Sequence, residues 1–259
     1  MTIKFSIEDN IARVTIDRED RMNAIDQDTA EALEVIWNKI EADYDLRAVV
    51  ITGVGSKAFC AGADMKDNTG SKSGLSYWSN ANPNGFGGLT LRKSLKIPVI
   101  ARVNGIAVGG GFELVLGCDI VVAASHASFG LPEARVGRLP LDGGMILLPR
   151  LIPEKIAMGM LLTGKRISAT EAENFGIVNQ VTNPENLDEA VDEWLTQILE
   201  CAPLSIQAIK ESVKETLHLN SKDAAKMKLP MLIKSLESRD SIEGPLAFRE
   251  KRKPEWQGK

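Results

Sequence analysis

The chain has 259 residues, of which 44% are hydrophobic and 25% charged, a balance that suits one large globular body and argues against disorder. A net charge of −4 at pH 7 provides no bulk attraction for nucleic acid. Cys60, Cys118 and Cys201 are widely spaced and form no C-x-x-C pair, which excludes a disulfide framework and a zinc knuckle and leaves reduced, mostly packed thiols.

Met1 to Glu8 meets acidic residues too early for a secretory leader, and no apolar run approaches membrane-spanning length, so a cytoplasmic location is expected. Apolar and polar residues alternate from Lys4 to Ile16 around Glu8-Asp9-Asn10, which predicts a β-hairpin. A helix is predicted from about Asp28, with Glu31 at capping-box spacing and Ala30, Leu33, Trp37 and Ile40 on one face. Three short apolar strands follow, at Ala48 to Ile51, Pro98 to Ala101 and Ile120 to Ala123. Helical or glycine-rich material separates them, giving the α/β rhythm of a sheet covered on both faces.

After the first of these strands, Gly53-Val54-Gly55-Ser56-Lys57-Ala58 formally matches the dinucleotide fingerprint G-x-G-x-x-A. That fingerprint also needs an acid about twenty residues on for the ribose, and between Asp67 and Glu113 the chain has no Asp or Glu. A dinucleotide site is therefore rejected. Asn68 to Gly88 holds five glycines (70, 74, 85, 87 and 88), many Ser and Asn, and three aromatics, Tyr77, Trp78 and Phe86. Rings in such a segment either close as a lid over an apolar or cationic group or pin the loop to the body.

Val108-Gly109-Gly110-Gly111-Phe112-Glu113-Leu114 is the most informative stretch. Successive glycines leave backbone N–H groups bare at a helix start, where an anionic oxygen can approach; a tight strand-to-helix turn is the plainer alternative. Glu133 follows twenty positions after Glu113, in Phe129-Gly130-Leu131-Pro132-Glu133. If both carboxyls face one cleft, burial and like-charge repulsion raise one pKa and leave an acid beside a carboxylate near neutral pH. His126 and His218 are the only histidines, too few for a His-based metal site, and His126 is assigned a turn role; no G-x-S-x-G elbow occurs.

Beyond Leu147, short helices are predicted at Pro153 to Leu162 and Ser168 to Phe175, a C-cap at Gly176, and a last strand at Ile177 to Val181. The rest reads as helical, so the chain divides into residues 1–195, an α/β body, and 196–259, a helical region, without a clear linker. Lys251-Arg252-Lys253 is the densest basic patch, either a solvated tail or a clamp for phosphate.

In order and spacing, these pieces resemble the crotonase (enoyl-CoA hydratase/isomerase) superfamily over nearly the whole chain. The resemblance rests on Asn23-Ala24-Ile25, Ala58-Phe59-Cys60-Ala61-Gly62-Ala63-Asp64, Pro98 to Gly105, the glycine triplet with Glu113, Cys118-Asp119, the Glu133 segment, Leu162-Thr163-Gly164 and Phe248-Arg249-Glu250-Lys251-Arg252. It implies an α/β fold, the crotonase (ClpP-like) spiral of ββα units, with a C-terminal helical region that builds trimers or a dimer of trimers. It implies an enoyl-CoA hydratase-type hydro-lyase in which Glu113 and Glu133 share one water, and in which the N–H groups of Ala61 and Gly110 hold the thioester oxygen. Coenzyme A, part of the substrate, would contact the Ala61-Gly62-Ala63-Asp64 loop, Phe248 and Lys251; no metal or separate cofactor is implied. Where relatives often carry a lysine three residues before Asn23, this chain has Asp20, with Arg21 beside it as the candidate contact. Pro140-Leu141-Asp142-Gly143-Gly144 replaces the usual Pro-Gly-x-Gly-Gly, so Leu141 and Asp142 join Tyr77, Trp78 and Phe86 as acyl-pocket candidates. These suit a β-substituted or bulky acyl group, either carrying a trimethylammonium group or aromatic. An enoyl- or dienoyl-CoA isomerase using Asp142 and a non-catalytic CoA-binding scaffold are the alternatives.

Overall fold

A computed structural model of the protein describes residues 2–64 and 74–259. The hairpin is present as β1 (Ile3–Glu8) and β2 (Ile11–Ile16), paired antiparallel across Asp9 and Asn10. Both turn residues have positive φ, 49° and 65°, which matches a two-residue turn to the strand twist and which Asp and Asn tolerate. The next element, α1 (Gln27–Ala42), begins before the Asp28 expected to cap it. Asp26 takes that role, its carboxylate accepting the Thr29 N–H at 2.8 Å, while Glu31 accepts from the Gln27 side chain.

The chain then repeats a unit of one strand in each of two sheets followed by a helix or turn. First come β3 (Ala48–Gly53), β4 (Ala58–Cys60) and α2 (Gly74–Ser79); then β5 (Val99–Val103), β6 (Ile106–Val108) and α3 (Gly110–Gly117). The third set is β7 (Ile120–Ala124), β8 (Ser128–Gly130) and a 3-10 turn, Glu133–Val136. This repetition is the ββα spiral. Next are α4 (Gly144–Leu151), α5 (Glu154–Thr163), β9 (Ile167–Ser168), α6 (Ala169–Asn174) and β10 (Gln180–Thr182). A six-stranded sheet runs β1-β2-β3-β5-β7-β10 and a second sheet β4-β6-β8-β9.

The strand predicted at Ile177 to Val181 is shifted: only Gln180–Thr182 pairs with β7, and Ile177 and Val178 are buried in the turn before it. Asn179 fixes that turn, donating its N–H to the Val121 carbonyl and accepting the Val121 N–H on its side chain, both at 2.8 Å. Ser168, read in the sequence as the start of a short helix, caps α6 in a reciprocal box with Glu171. His126 sits in an exposed turn with Nε2 2.8 Å from the Ser56 carbonyl oxygen.

Alternation along the central strands explains why their runs are apolar throughout. Val49, Ile51, Ala101 and Val121 face a core shared with α1, α3 and the second sheet, whereas Ala48, Val50, Ile100 and Val122 face a separate core. That second core is closed by α7 (Leu187–Glu200) through Leu187, Ala190, Val191, Leu195 and Ile198. Residue 196, where the sequence suggested a division, lies inside α7. The remaining helices are α8 (Pro203–Thr216), α9 (Ser221–Ala224), α10 (Pro230–Glu237) and α11 (Asp240–Glu250). Lys210 anchors α8 to the body by donating to the Ile97 carbonyl at 2.7 Å and pairing with Asp119. Among the described residues no helix is long and apolar enough to cross a membrane.

Candidate active site

The glycine triplet lets two backbones touch. A Cβ on Gly111 would lie 2.0 Å from the Cys60 carbonyl oxygen at the end of β4, and one on Gly110 would lie 2.5 Å from the Phe86 ring. Only hydrogen fits there, so the loop after β4 rests against the first turn of α3. The opposite side of that loop is held by the Asn23-Ala24-Ile25 segment. The Ile25 N–H donates to the Gly62 carbonyl at 2.8 Å, the Asp64 N–H donates to the Ile25 carbonyl at 2.9 Å, and the Asn23 amide donates to the Val54 and Ala58 carbonyls.

This bridge corrects the oxyanion assignment. The Ala61 N–H, expected to face the thioester, donates instead to the Met22 carbonyl at 3.1 Å. Ile25 pairs through the flanking Gly62 carbonyl and Asp64 N–H, so the Ala63 N–H points away from it. Among the described residues neither the Ala63 nor the Gly110 N–H has a hydrogen-bond partner. Both residues line one cavity of about 1430 Å³, which Glu113 and Glu133 also line. Sequence reasoning had the loop but not which of its amides was already engaged.

Glu113 projects from the first turn of α3 and is buried, its Oε1 accepting the Gly144 N–H at 2.8 Å. Burial raises its pKa to about 8; the Gly144 N–H opposes the rise, and nearby Asp142 and Glu133 add to it. Glu133, in the 3-10 turn, is half-buried, and burial raises its pKa too. Its Oε2 is buried with no hydrogen-bond partner among the described residues, an acceptor awaiting a donor from the cavity. Two acids that favour holding a proton thus share one chamber with two unclaimed amides.

A raised folded-state pKa means the folded protein binds this proton more tightly than the unfolded chain. The resulting stabilisation is complete below the ordinary glutamate value of 4.5 and is lost as pH rises toward about 8. Thermal melts at pH 5 and pH 9 should therefore show a smaller loss of Tm for Glu113→Gln than for the parent; an equal loss would mean that Glu113 titrates normally.

Tyr77 of α2 donates its hydroxyl to Oδ2 of Asp142, a pairing that sequence did not suggest. Asp142 is buried, and burial raises its pKa while the Tyr77 hydrogen bond lowers it. Trp78 and Leu141 line the cavity as well, with Trp78 largely exposed. Phe86 is a cavity wall and also a core residue beneath Gly110, which makes it a support for the amide cradle. Residues 65–73, including the first part of the segment beginning at Asn68, lie outside the described residues.

Ala61 and Ala63 line the cavity, whereas Arg21, Phe248 and Lys251 are exposed and do not. Arg252 in the basic patch is occupied by Glu243 and Glu250, at 2.5 and 2.7 Å. The Asp64 carboxylate turns inward to Arg18, 3.0 Å away, and Arg18 also pairs with Asp26 at 2.5 Å and donates to the Ala24 carbonyl. Arg18 thereby knits α1 to the oxyanion loop. Removing it takes the shared cation from two poorly solvated carboxylates, so Arg18→Ala should cost about 3 kcal/mol in chemical denaturation, and a loss under about 1 kcal/mol by this scale would discount the role.

A ββα spiral whose second-sheet strands deliver bare amides and paired glutamates to one chamber is the architecture of a crotonase-fold hydro-lyase acting on acyl-CoA thioesters. The chain belongs to the enoyl-CoA hydratase/isomerase family, whose sequence model matches residues 6–259. It is 41% identical over 252 residues to carnitinyl-CoA dehydratase of Salmonella arizonae, covering 96% of this chain and 95% of that protein. To carnitinyl-CoA dehydratase of Proteus mirabilis it is 39% identical over 254 residues, covering 96% of each. Among solved structures, enoyl-CoA hydratase from Bacillus anthracis superposes with a TM-score of 0.91 at 32% identity, covering 100% of both chains.

Proposed function

We propose that this protein adds or removes water across the α,β double bond of a 2-enoyl-CoA whose acyl group carries a cationic β-side substituent of the carnitine type. The observation that carries the reading is the convergence of Glu113, Glu133 and the unengaged Ala63 and Gly110 amides on one cavity. The two amide N–H groups donate to the thioester oxygen, and their fixed direction favours the charge that develops as the thioester becomes enolate-like, an effect worth about 3 kcal/mol per donor. One water lies between the glutamates. The ionised carboxyl takes its proton as the oxygen bonds to Cβ, and the protonated one delivers a proton to Cα; dehydration is the reverse. Because the two acids are coupled, the proton belongs to the pair.

The acyl group is argued from charge and rings. Tyr77 and Trp78 line the chamber together with Glu113, Glu133 and Asp142, a setting that favours a quaternary ammonium by cation–π and Coulomb attraction. The exposed Arg135, Arg138 and Arg166 on the same cavity suit the phosphates of coenzyme A. Isomerisation through Asp142 is less well supported, because Tyr77 already occupies one of its oxygens. No cofactor beyond the substrate's own coenzyme A is called for, and the reading includes cytoplasmic homo-oligomers, trimers or dimers of trimers.

A parallel assay of crotonyl-, crotonobetainyl- and aryl-substituted enoyl-CoA by loss of enoyl absorbance tests it. Crotonobetainyl-CoA should give a kcat/KM at least about tenfold above the others, as expected when a pocket is built for a substituent the competitor lacks. Preference for the aryl thioester would replace the cationic assignment with an aromatic one.

A further inference from the structure

Asp142 occupies a place that ordinary hydration chemistry leaves unused. It precedes Gly143 and Gly144, and the Gly144 N–H is the donor that holds Glu113. Its main chain is wedged in place: a Cβ on Gly85 would come within 3.0 Å of the Asp142 carbonyl oxygen, and one on Gly143 within 2.7 Å of Thr90. With its backbone immobilised on the Gly85 to Thr90 segment, its carboxylate is fixed beside the glutamates and receives the Tyr77 hydroxyl. α2, which supplies that hydroxyl, buries none of its own residues.

We propose that Asp142, clamped by Tyr77, is a positioning residue that keeps one proton on the Glu113/Glu133 pair, so that seating α2 over the cavity readies the pair for proton transfer. The inference rests on reading those two glutamates as the acid/base couple. Its physics is a chain of three effects. The Tyr77 hydroxyl stabilises Asp142 as an anion, and the anion disfavours a second and third negative charge on Glu113 and Glu133. Losing Tyr77 allows Asp142 itself to take up a proton, and the pair then releases its own more easily. The groups facing Glu113 are the Asp142 carboxylate and backbone N–H from the loop before α4, the Gly144 N–H at the first residue of α4, Glu133 from the 3-10 turn and Tyr77 from α2. The cations on the cavity, Arg135, Arg138 and Arg166, have exposed side chains. Burial is the largest cause of the raised Glu113 pKa, and Asp142 stands ahead of Glu133 among the charges that add to it.

Carbon-13 NMR of the full-length protein labelled at glutamate carboxyls, with Glu113→Gln and Glu133→Gln assigning the two signals, measures the pair without any substrate. Asp142→Asn should lower the upper titration midpoint of the pair by about one pH unit, the scale expected for removing one neighbouring like charge. Tyr77→Phe, which keeps the ring and deletes only the hydroxyl, should lower it in the same direction by less, and Asp142→Glu should restore it at least in part. An unchanged midpoint in Asp142→Asn overturns the proposal. A midpoint moved by Asp142→Asn but indifferent to Tyr77→Phe overturns the link to α2. Turnover of enoyl-CoA without these shifts defeats this inference and leaves the hydratase reading intact, while shifts in a protein that turns over none of the thioesters do the reverse.

Discussion

Glu113→Gln and Glu133→Gln should each lower kcat/KM for hydration by about a thousandfold, the middle of the range for a positioned general acid or base. Gln keeps the shape of the side chain and can still accept the Gly144 N–H that holds Oε1 of Glu113, so the fold should persist and the loss should fall on proton transfer. The two variants should also be strongly non-additive, because either change leaves the shared water without one of its two partners. Stopped assays of each single variant and of the double variant check this. Hydration at the parental rate by Glu133→Gln would point to chemistry that needs one acid only, such as double-bond migration.

Gly111→Ala should be among the most damaging single-methyl changes in the protein. Its Cβ would lie 2.0 Å from the Cys60 carbonyl oxygen and 2.6 Å from the carbonyl carbon, and backbone on both sides leaves no flexible group to yield. The end of β4 and the start of α3 must separate, which misaligns the Ala63 and Gly110 amides as well as weakening the core. Overpacking of this kind costs about 3 kcal/mol. Urea denaturation should show that loss, and the residual folded enzyme should show reduced kcat, since misplaced donors weaken transition-state stabilisation. A variant with parental stability would mean that the two backbones are farther apart than described.

The features legible in the sequence were those set by local pattern. Ile11, Val14 and Ile16 against polar neighbours marked the hairpin, and Ala48 to Ile51, Pro98 to Ala101 and Ile120 to Ala123 marked strands buried on two sides. The glycine triplet and Glu113 marked the candidate turn because glycine N–H groups before an acid have a chemical meaning at short range, although the Gly109 N–H is taken by the Gly130 carbonyl at 2.9 Å. What escaped depended on contacts between distant segments. Whether Ala61 or Ala63 keeps a free N–H is decided by Met22 and Ile25, and the value of Arg18 appears only when Asp26 and Asp64 converge on it. A segment rich in Ser, Asn and Gly concealed α2, whose six residues form a helix despite weak propensity. Ile177 and Val178 suggested a strand because burial of a turn leaves the same apolar signature.

The division of the central sheet between two cores affects how damage spreads. Glu113, Phe86 and the glycine cradle belong with the packing under α3, whereas α7 seals the other side. Cavities introduced at Leu195 or Val191 should therefore loosen amide protection along α7 first and hasten unfolding, with turnover per surviving molecule little altered. Loss of protein in such variants would be a matter of lifetime, not of chemistry.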